Sequence, residues 1–256
     1  MKKVLFFTIF ISVVLNSYSS VAIVNGLSHY YKNLSGGDTF EGVITLVNSG
    51  ENVQRVRVYF NDYLRDCDSS SFYDSEDFEG SIYKWFSLSR NDFEIAPGAT
   101  MDVNFKVNIP SDYNFKGSKW QFIMVETDKS VEQKVKSNLN VTSKVRYGVN
   151  VGLSFGIDHI SDFAVHKELE LTSDNSILFT MKNNDSYFHD TEVTLEFYSL
   201  NGELIFTKKL DKRIFFPKSC SEFKFDTTDL ISNDYDVIIY CDSGYNINAF
   251  RRKLTL

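Results

Sequence analysis

The residue types that most often carry chemistry are present in this 256-residue chain but are not arranged for it. Histidines ligate metals and transfer protons, yet no histidine here has a partner at metal-ligand spacing. Motifs for a serine nucleophile, a zinc protease or a phosphate-binding loop are also missing. We therefore expect a protein that is not an enzyme and has no metal, cofactor or catalytic residue. The histidines are His29, His159, His166 and His189.

An acidic segment between Asp62 and Glu79 is the second feature with chemical potential. Its carboxylates lie among serines, which is typical either of a calcium loop or of a solvated acidic loop. A calcium loop of the twelve-residue type needs a glycine and a closing glutamate at fixed positions, and here both are out of place. We expect the solvated loop.

Three cysteines are the third feature: Cys67, Cys220 and Cys241. An exported chain meets an oxidising compartment, where disulfides form. Cys220 and Cys241 each lie beside a strand-like run, and a bond between them would close a loop of about 20 residues and add roughly 3 kcal/mol of stability. Cys67 would then be left over. The alternative is that all three thiols stay free, because spacing alone fixes no geometry.

The N-terminus has the pattern of a secretion signal. Lys2 and Lys3 precede the apolar run Val4–Leu15, which is shorter than the ~20 residues needed to cross a bilayer as a helix. Small residues then offer cleavage after Ser20 or Ala22, and we predict a signal peptide over residues 1–22. The alternative is a retained membrane anchor. No other segment approaches the length of a membrane span.

The composition favours an all-β protein without affinity for nucleic acid. Aromatic residues make up 15% of the chain and there are 3 prolines, a balance that suits half-buried strands. The formal net charge is −7, and no run of lysine or arginine offers the electrostatic footprint of a nucleic-acid-binding protein.

The elements that would position any site are strands. Between Met101 and Ile109 apolar and polar residues alternate without a miss, which predicts a strand with one face in a core. A Pro97-Gly98 turn precedes this strand, and a second apolar strand covers Lys119–Val125. Another long alternating strand is predicted over Leu139–Leu153, after a polar loop or frayed helix at Thr127–Asn138.

The second half of the chain predicts its own set of strands. Seven strand-like runs occur in about 100 residues, as in an immunoglobulin-like sandwich. Asn201-Gly202, between two alternating runs, is the strongest hairpin signal in the chain. The predicted fold is all-β, with two immunoglobulin-like β-sandwich domains in tandem after a cleaved signal peptide. The predicted boundaries are 23–152 for the first domain and 153–256 for the second.

The order of short motifs in the first domain resembles that of periplasmic pilus chaperones and their two-domain immunoglobulin-like relatives. This resemblance implies a protein that completes an unfinished partner subunit by lending it a strand. The motifs, in order, are Trp85-Phe86-Ser87-Leu88-Ser89, Phe93-x-Ile95-x-Pro97-Gly98, Val103-x-Phe105-x-Val107, Pro110 and Trp120-Gln121-Phe122-Ile123-Met124-Val125-Glu126.

The resemblance also implies which residues meet the partner. In the chaperones two basic residues hold the terminal carboxylate of the subunit, and the matching positions here are Lys32 and Lys144. The alternative is that both are ordinary solvated lysines. The last long strand of the first domain would present alternate side chains to the partner: Leu139, Val141, Val145, Tyr147 and Val149.

Two functions remain open from the sequence. The first is a periplasmic chaperone-like protein that binds another exported protein through strand addition. The second is a secreted or cell-surface adhesion module that binds through loops, with the acidic segment as its most distinctive feature. In either case we expect a protein partner, and no membrane span after signal cleavage.

Overall fold

The computed structural model describes residues 21–127, 131–134, 140–143, 145–156, 160–226, 230 and 233–256, with the backbone alone at 131–134 and 140–143. Over these residues the chain forms two β-sandwiches with separate hydrophobic cores. The predicted all-β, two-domain immunoglobulin-like fold is therefore confirmed. Most of the predicted signal peptide lies outside the described residues.

The first sandwich contains two sheets. One sheet has the strand order β1-β3-β8-β6, and the other has the order β2-β12-β9-β4-β5, with β7 also paired to β4. A small hairpin of β10 and β11 precedes β12. The strands are β1 (Val21–Ile23), β2 (Ser28–Leu34), β3 (Thr39–Asn48), β4 (Gln54–Arg65), β5 (Ser70–Asp74), β6 (Phe86–Leu88), β7 (Asp92–Ile95), β8 (Thr100–Asn108), β9 (Gly117–Thr127), β10 (Val131–Lys134), β11 (Asn140–Ser143) and β12 (Arg146–Phe155), with one 3₁₀ turn at Tyr83–Trp85.

The alternating pattern of β8 is the clearest link between sequence and packing in this sandwich. Val103, Phe105 and Val107 are buried, whereas the polar residues between them are exposed. The buried side chains meet Val125 and Val149 of the opposite sheet in one core. Burial of one face of each sheet fixes the strand register, because a slip of one residue would turn every apolar side chain outward.

The N-terminal part of the first sandwich is divided between the two sheets. β1 pairs antiparallel with β3, whereas β2 pairs parallel with β12 in the other sheet. Gly26, with a φ of 94°, forms the corner between them. The side chain of Asn25 holds the corner against β3 by accepting a hydrogen bond from the backbone N–H of Thr45 and donating one to the carbonyl of Val43.

Two other predictions in the first half are wrong in detail. The long strand predicted over Leu139–Leu153 is divided into β11 and β12, and β10 forms where a loop or frayed helix was expected. The acidic segment Asp62–Glu79 is not a continuous loop, because β4 extends into it and β5 folds back on β4. Asp66 accepts hydrogen bonds from the backbone N–H groups of Asp68 and Ser69, which explains its lowered pKa.

The second sandwich packs a sheet of order β13-β14-β18 on a sheet of order β16-β15-β19-β20, with β17 also paired to β15. The Asn201-Gly202 turn joins β15 to β16, so the predicted hairpin is confirmed. The short β17 is an addition to the seven predicted strands. The strands are β13 (Phe163–Leu171), β14 (Ser176–Asn183), β15 (His189–Tyr198), β16 (Leu204–Lys209), β17 (Arg213–Phe215), β18 (Cys220–Asp226), β19 (Asp234–Asp242) and β20 (Ile247–Thr255).

The domain limits of the structure differ by a few residues from those predicted. β12 runs through residue 152 to Phe155, and the second core begins at Phe163, so we place the boundary between these two residues. Val21 is fully buried in the first core and Ala22 pairs with Val47. Cleavage after Ser20 would keep β1 whole, whereas cleavage after Ala22 would remove two of its three residues.

The cysteine pairing differs from the prediction. Cys67 and Cys220 form a disulfide that joins the two sandwiches, and Cys241 is a buried free thiol. The predicted Cys220–Cys241 bond is wrong because the two side chains point in different directions. Cys220 is three residues before the inward-facing Phe223, an odd number, so its side chain lies on the outer side of the sheet. Cys241 lies in the core beneath the other sheet. Burial raises the pKa of the Cys241 thiol to about 12.

We expect this arrangement to be visible in thiol labelling. The native, unreduced protein should react with no equivalent of a maleimide, because Cys241 is both buried and protonated. Denaturation without reductant should expose one thiol, and denaturation with reductant should expose three. Mass spectrometry counts the adducts. Three adducts in unreduced, denatured protein would contradict the disulfide.

The His29 imidazole makes the stability of the first sandwich depend on pH. The ring lies edge-on to Phe105, with 5.3 Å between centroids, and its Nε2 is buried without a hydrogen-bond partner among the described residues. Desolvation lowers the pKa of His29 from its usual 6.5. The folded state therefore binds this proton less well than the unfolded state does.

We expect His29→Gln to flatten part of the pH dependence of unfolding. The stabilising effect of a neutral His29 is present above pH 6.5 and is lost as the pH falls through the lowered pKa. Urea unfolding at pH 7.5 and pH 5 should show a larger loss of stability in the wild type than in the variant. Equal losses in the two proteins would count against this origin.

Candidate partner-binding edge and interdomain cleft

One end of β12 has an open hydrogen-bonding edge. β12 pairs with β9 along its whole length, from Arg146 to Phe155. On its other side β2 pairs with it only from Asn150 onward. Over Arg146–Val149, β12 therefore has no strand partner on this side among the described residues. An open strand edge is a template for pairing with another chain.

The alternation of backbone groups identifies which of them face this edge. The N–H of Asn150 donates to the carbonyl of Leu27, on the side where β2 lies. Backbone N–H and C=O groups point to opposite sides at successive residues of a strand. The groups of Gly148 and Arg146 therefore face the open edge, and those of Tyr147 and Val149 face β9.

The side chains of β12 are placed differently from the sequence prediction. Val149 is fully buried in the first core, so the prediction that it faces a partner is corrected for the isolated chain. Tyr147 is half-buried against the same core and donates a hydrogen bond from its hydroxyl to the carbonyl of Val21. Val145 is half-buried. Leu139 lies outside the described residues, and Val141 is described by its backbone alone.

Arg146 is the cation of the open edge, and sequence reasoning did not select it. Its guanidinium binds the carboxylate of Glu126 through Nε at 2.9 Å and Nη2 at 2.8 Å. It also lies over the ring of Tyr59. The carboxylate is almost fully covered, whereas half of the Arg146 side chain is exposed. The signal that could have identified Arg146 is its cross-strand pairing with the oppositely charged Glu126. This pairing can be recognised only once the register of β12 and β9 is known.

The outer face of the same sheet carries an aromatic layer that contacts the second sandwich. Phe122 and Met124 of β9 are buried with Phe188 and Phe216 of the second sandwich. Glycines in β12 leave the space for these rings. A Cβ atom at Gly152 would lie 2.4 Å from the Tyr30 ring, and one at Gly148 would lie 3.0 Å from the Phe122 ring. The partly buried members of the layer are Tyr30, Tyr59, Tyr63, Trp120 and Ile214.

Hydrogen bonds reinforce this junction between the sandwiches. The N–H of Ser118 donates to the carbonyl of Ser186, and the Ser118 Oγ accepts from the N–H of Phe188. The hydroxyl of Tyr187 donates to the carbonyl of Phe155 at 2.9 Å. Together with the Cys67–Cys220 bond, these contacts fix the relative position of the two sandwiches.

Lys32 lies in the cleft between the sandwiches. It is exposed on β2, and its Nζ is 5.6 Å from the centroid of the Tyr245 ring. Asp190 lines the same cleft, and its carboxylate pairs with Lys212 at 2.7 Å. Lys144, the other predicted carboxylate anchor, lies outside the described residues. The prediction that the two lysines meet a common carboxylate therefore stays a prediction.

Lys32 and the open edge are far apart along the direction of β12. The neighbouring Tyr31 pairs with Leu153, five residues beyond Gly148. At about 3.3 Å per residue the two features are roughly 17 Å apart along the strand. Between them β2 already occupies the edge from Asn150 onward. A partner strand that pairs at Gly148 therefore cannot continue along β12 to Lys32 unless β2 moves.

These features define a two-domain immunoglobulin-like sandwich protein with a fixed interdomain angle and an open strand edge at Arg146–Val149. Its resemblance to periplasmic pilus chaperones is found again among solved structures. The class 5 fimbriae chaperone CfaA has a TM-score of 0.47 and 14% identity, with 92% of this chain and 100% of that chain covered. The CsuC–CsuE chaperone–tip adhesion subunit complex from the archaic Csu pili of Acinetobacter baumannii has a TM-score of 0.47 and 10% identity, with 91% and 98% covered.

The E. coli chaperone DraB is also similar, with a TM-score of 0.39, 13% identity and coverage of 92% of this chain and 98% of that chain. No protein-family profile matches the sequence, and no curated protein sequence matches it. Within the ranges that the structure describes, no helix has the length and apolar character needed to cross a bilayer.

We expect Gly152→Ala to destabilise the junction. The added methyl group would collide with the rings of Tyr30 and Phe188, and such overpacking costs about 1–3 kcal/mol. Gly148→Ala is the graded control, since its nearest contact of 3.0 Å needs a smaller adjustment. Urea unfolding should rank the wild type above Gly148→Ala and Gly148→Ala above Gly152→Ala. An unchanged midpoint for Gly152→Ala would show that the rings move freely.

Proposed function

We propose that this protein is a non-enzymatic exported binding protein that caps another exported protein by accepting one of its strands at the open edge of β12. The observation that carries the proposal is the absence of a β2 partner over Arg146–Val149, among the described residues, at the end of an otherwise fully paired strand. Strand addition of this kind takes its affinity from main-chain hydrogen bonds.

The geometry supports a particular way of binding. A partner strand would pair with the N–H and C=O groups of Gly148 and Arg146, in line with β2 on the same side of β12. Gly148 has no side chain to hinder the approach of the partner. A partner strand would place alternate side chains on the two faces of the sheet, and those on the outer face would meet the Arg146 guanidinium and the Tyr59 ring. Val149 and Tyr147 point into the first core on the other face.

The charge of the edge gives the partner a chemical character. Arg146 keeps half of its side chain exposed although it binds Glu126. Its free N–H groups can bind an acidic side chain or a terminal carboxylate of the partner strand. In this proposal Arg146 takes the anchoring role at the open edge. Lys32 is a separate cation in the cleft, available to a second segment of the partner.

The fixed junction also serves this function. Binding loses less conformational entropy when the receiving surface is already rigid. The aromatic layer and the interdomain hydrogen bonds hold β9 and β12 in place before a partner arrives. We place the protein in the periplasm, where the predicted signal peptide would deliver it and where the Cys67–Cys220 bond can form.

The test compares Arg146→Pro with Arg146→Ala. Both variants remove the guanidinium, but only proline removes the N–H that faces the open edge. Proline is tolerated here because Arg146 is the first residue of β12. Each protein, and the wild type, is used to capture partners from the envelope of the native host. Captured partners are quantified by mass spectrometry, and circular dichroism verifies the fold of each variant.

We expect a partner that binds the wild type to be lost at least tenfold with Arg146→Pro, and to be retained more strongly by Arg146→Ala. Hydrogen exchange should show slower exchange at Gly148 in the complex, because its N–H would then be paired. If the proline and alanine variants capture the partner equally, the edge is not used. Loss of capture in Lys32→Ala alone would move the binding site to the cleft.

A further inference from the structure

A group of three potential metal ligands lies where the two sandwiches are joined. The sulfur atoms of Cys67 and Cys220 and a ring nitrogen of His166 all lie within 4.8 Å of one another. His166 is exposed, and its side chain makes no hydrogen bond or ion pair with any other described residue. The three residues come from distant parts of the chain, so sequence spacing gave no hint of the group.

The local backbone places His166 at this position. In the pairing of β13 with β14, Val165 lies opposite Met181 and Lys167 lies opposite Thr180. Met181 and Thr180 are consecutive, whereas Val165 and Lys167 have one residue between them. His166 is therefore the extra residue of a β-bulge. Bulges redirect side chains and are common beside functional sites. Cys220 begins β18 on the other side of β14, and Cys67 reaches it from the turn between β4 and β5.

We propose that Cys67, Cys220 and His166 form a zinc-type metal site when the disulfide is reduced. In the oxidised protein the sulfur atoms are bonded to each other and supply no thiolate. A dithiol reductant would transfer two electrons and two protons to the disulfide and would itself become a disulfide. Binding of a divalent ion would then displace the two thiol protons.

The distances suit such an ion after reduction. At Zn–S lengths near 2.3 Å and Zn–N lengths near 2.0 Å, tetrahedral geometry separates the ligand atoms by about 3.5–3.8 Å. The sulfur atoms would move apart from their bonded 2.00 Å, which rotation of the cysteine side chains allows, and the imidazole is already close. Two thiolates and an imidazole are a donor set that favours zinc over magnesium or calcium.

The surroundings leave a fourth coordination position open. The disulfide borders a crevice between the sandwiches that is open to solvent. The carboxylate of Asp66 already accepts backbone hydrogen bonds in its own turn, so it is not available as a metal ligand. Asp68 and Glu222 line the same crevice, as do the cations Arg65 and Lys167. A water molecule would complete the tetrahedron.

The reduced protein should stay folded, so the site can be measured directly. Each sandwich has its own core, and the aromatic layer and hydrogen bonds of the junction do not depend on the disulfide. The probe is cobalt(II), added without oxygen to the full-length mature protein after reduction with a phosphine. Thiolate-bound cobalt absorbs by charge transfer, and zinc should displace it.

We expect one equivalent of cobalt to bind the reduced protein with a thiolate charge-transfer band, and none to bind the oxidised protein in this way. Cys67→Ser and Cys220→Ser should abolish the band. His166→Ala should weaken binding at least tenfold, and this variant is decisive because an exposed side chain can be removed without disturbing the fold. Cys241→Ala is the matched control and should bind like the wild type, since Cys241 is in the core.

Three results would overturn the proposal. The first is a reduced wild type that is folded by circular dichroism but shows no band. The second is His166→Ala binding cobalt as tightly as the wild type, which would leave a two-thiol site without the histidine. The third is loss of binding in Cys241→Ala, which would mean that a different thiol is a ligand. Because the assay reads metal and not partner capture, its failure would leave the proposed function untouched.

Discussion

The junction between the two sandwiches is the constraint on which the other features depend. Ser118 lies at its centre, where its backbone and hydroxyl bind the Ser186–Phe188 segment and its hydroxyl also contacts that of Ser154 at 2.6 Å. Such paired hydrogen bonds are buried, and an unpaired buried polar group costs about 1–3 kcal/mol. The aromatic layer beside them excludes water. The interdomain cleft and the crevice at the disulfide exist because this junction holds the sandwiches at one angle.

β12 combines three roles in ten residues. Its inward side chains complete the first core, and its outward glycines make room for the rings of the aromatic layer. Its edge is shared between β2 and the open segment at Arg146–Val149. Each role restricts a different part of the strand. The core needs large side chains, the rings of the layer need glycines opposite them, and strand pairing at the edge uses backbone groups. One strand therefore satisfies all three requirements without conflict.

The positions of most strands could be predicted from the sequence, but which strands pair with each other could not. Alternation in β8 and β15 identified both the strand and its buried face, because burial of one face imposes a period of two. It did not show that the chain changes sheet at Gly26, because a strand-like sequence does not reveal the sheet to which the strand belongs. The same limit applies to the edge at Gly148, because period two says nothing about which strands lie alongside. The wrong Cys220–Cys241 pairing was avoidable, because alternate residues of a strand lie on the same face. Cys220 lies on the face of exposed Glu222, whereas Cys241 lies on the face of buried Val237.

The pairing of Cys67 with Cys220 has a consequence for how the protein is made. The chain is synthesised from its N-terminus, so Cys67 emerges first, Cys220 follows 153 residues later and Cys241 comes last. The native bond joins the first two thiols in order of arrival. An oxidase acting in that order makes the correct bond directly, without any need for an isomerase. Cys67 has only to remain reduced until β18 has emerged, and burial of Cys241 in the second core then removes the last competitor.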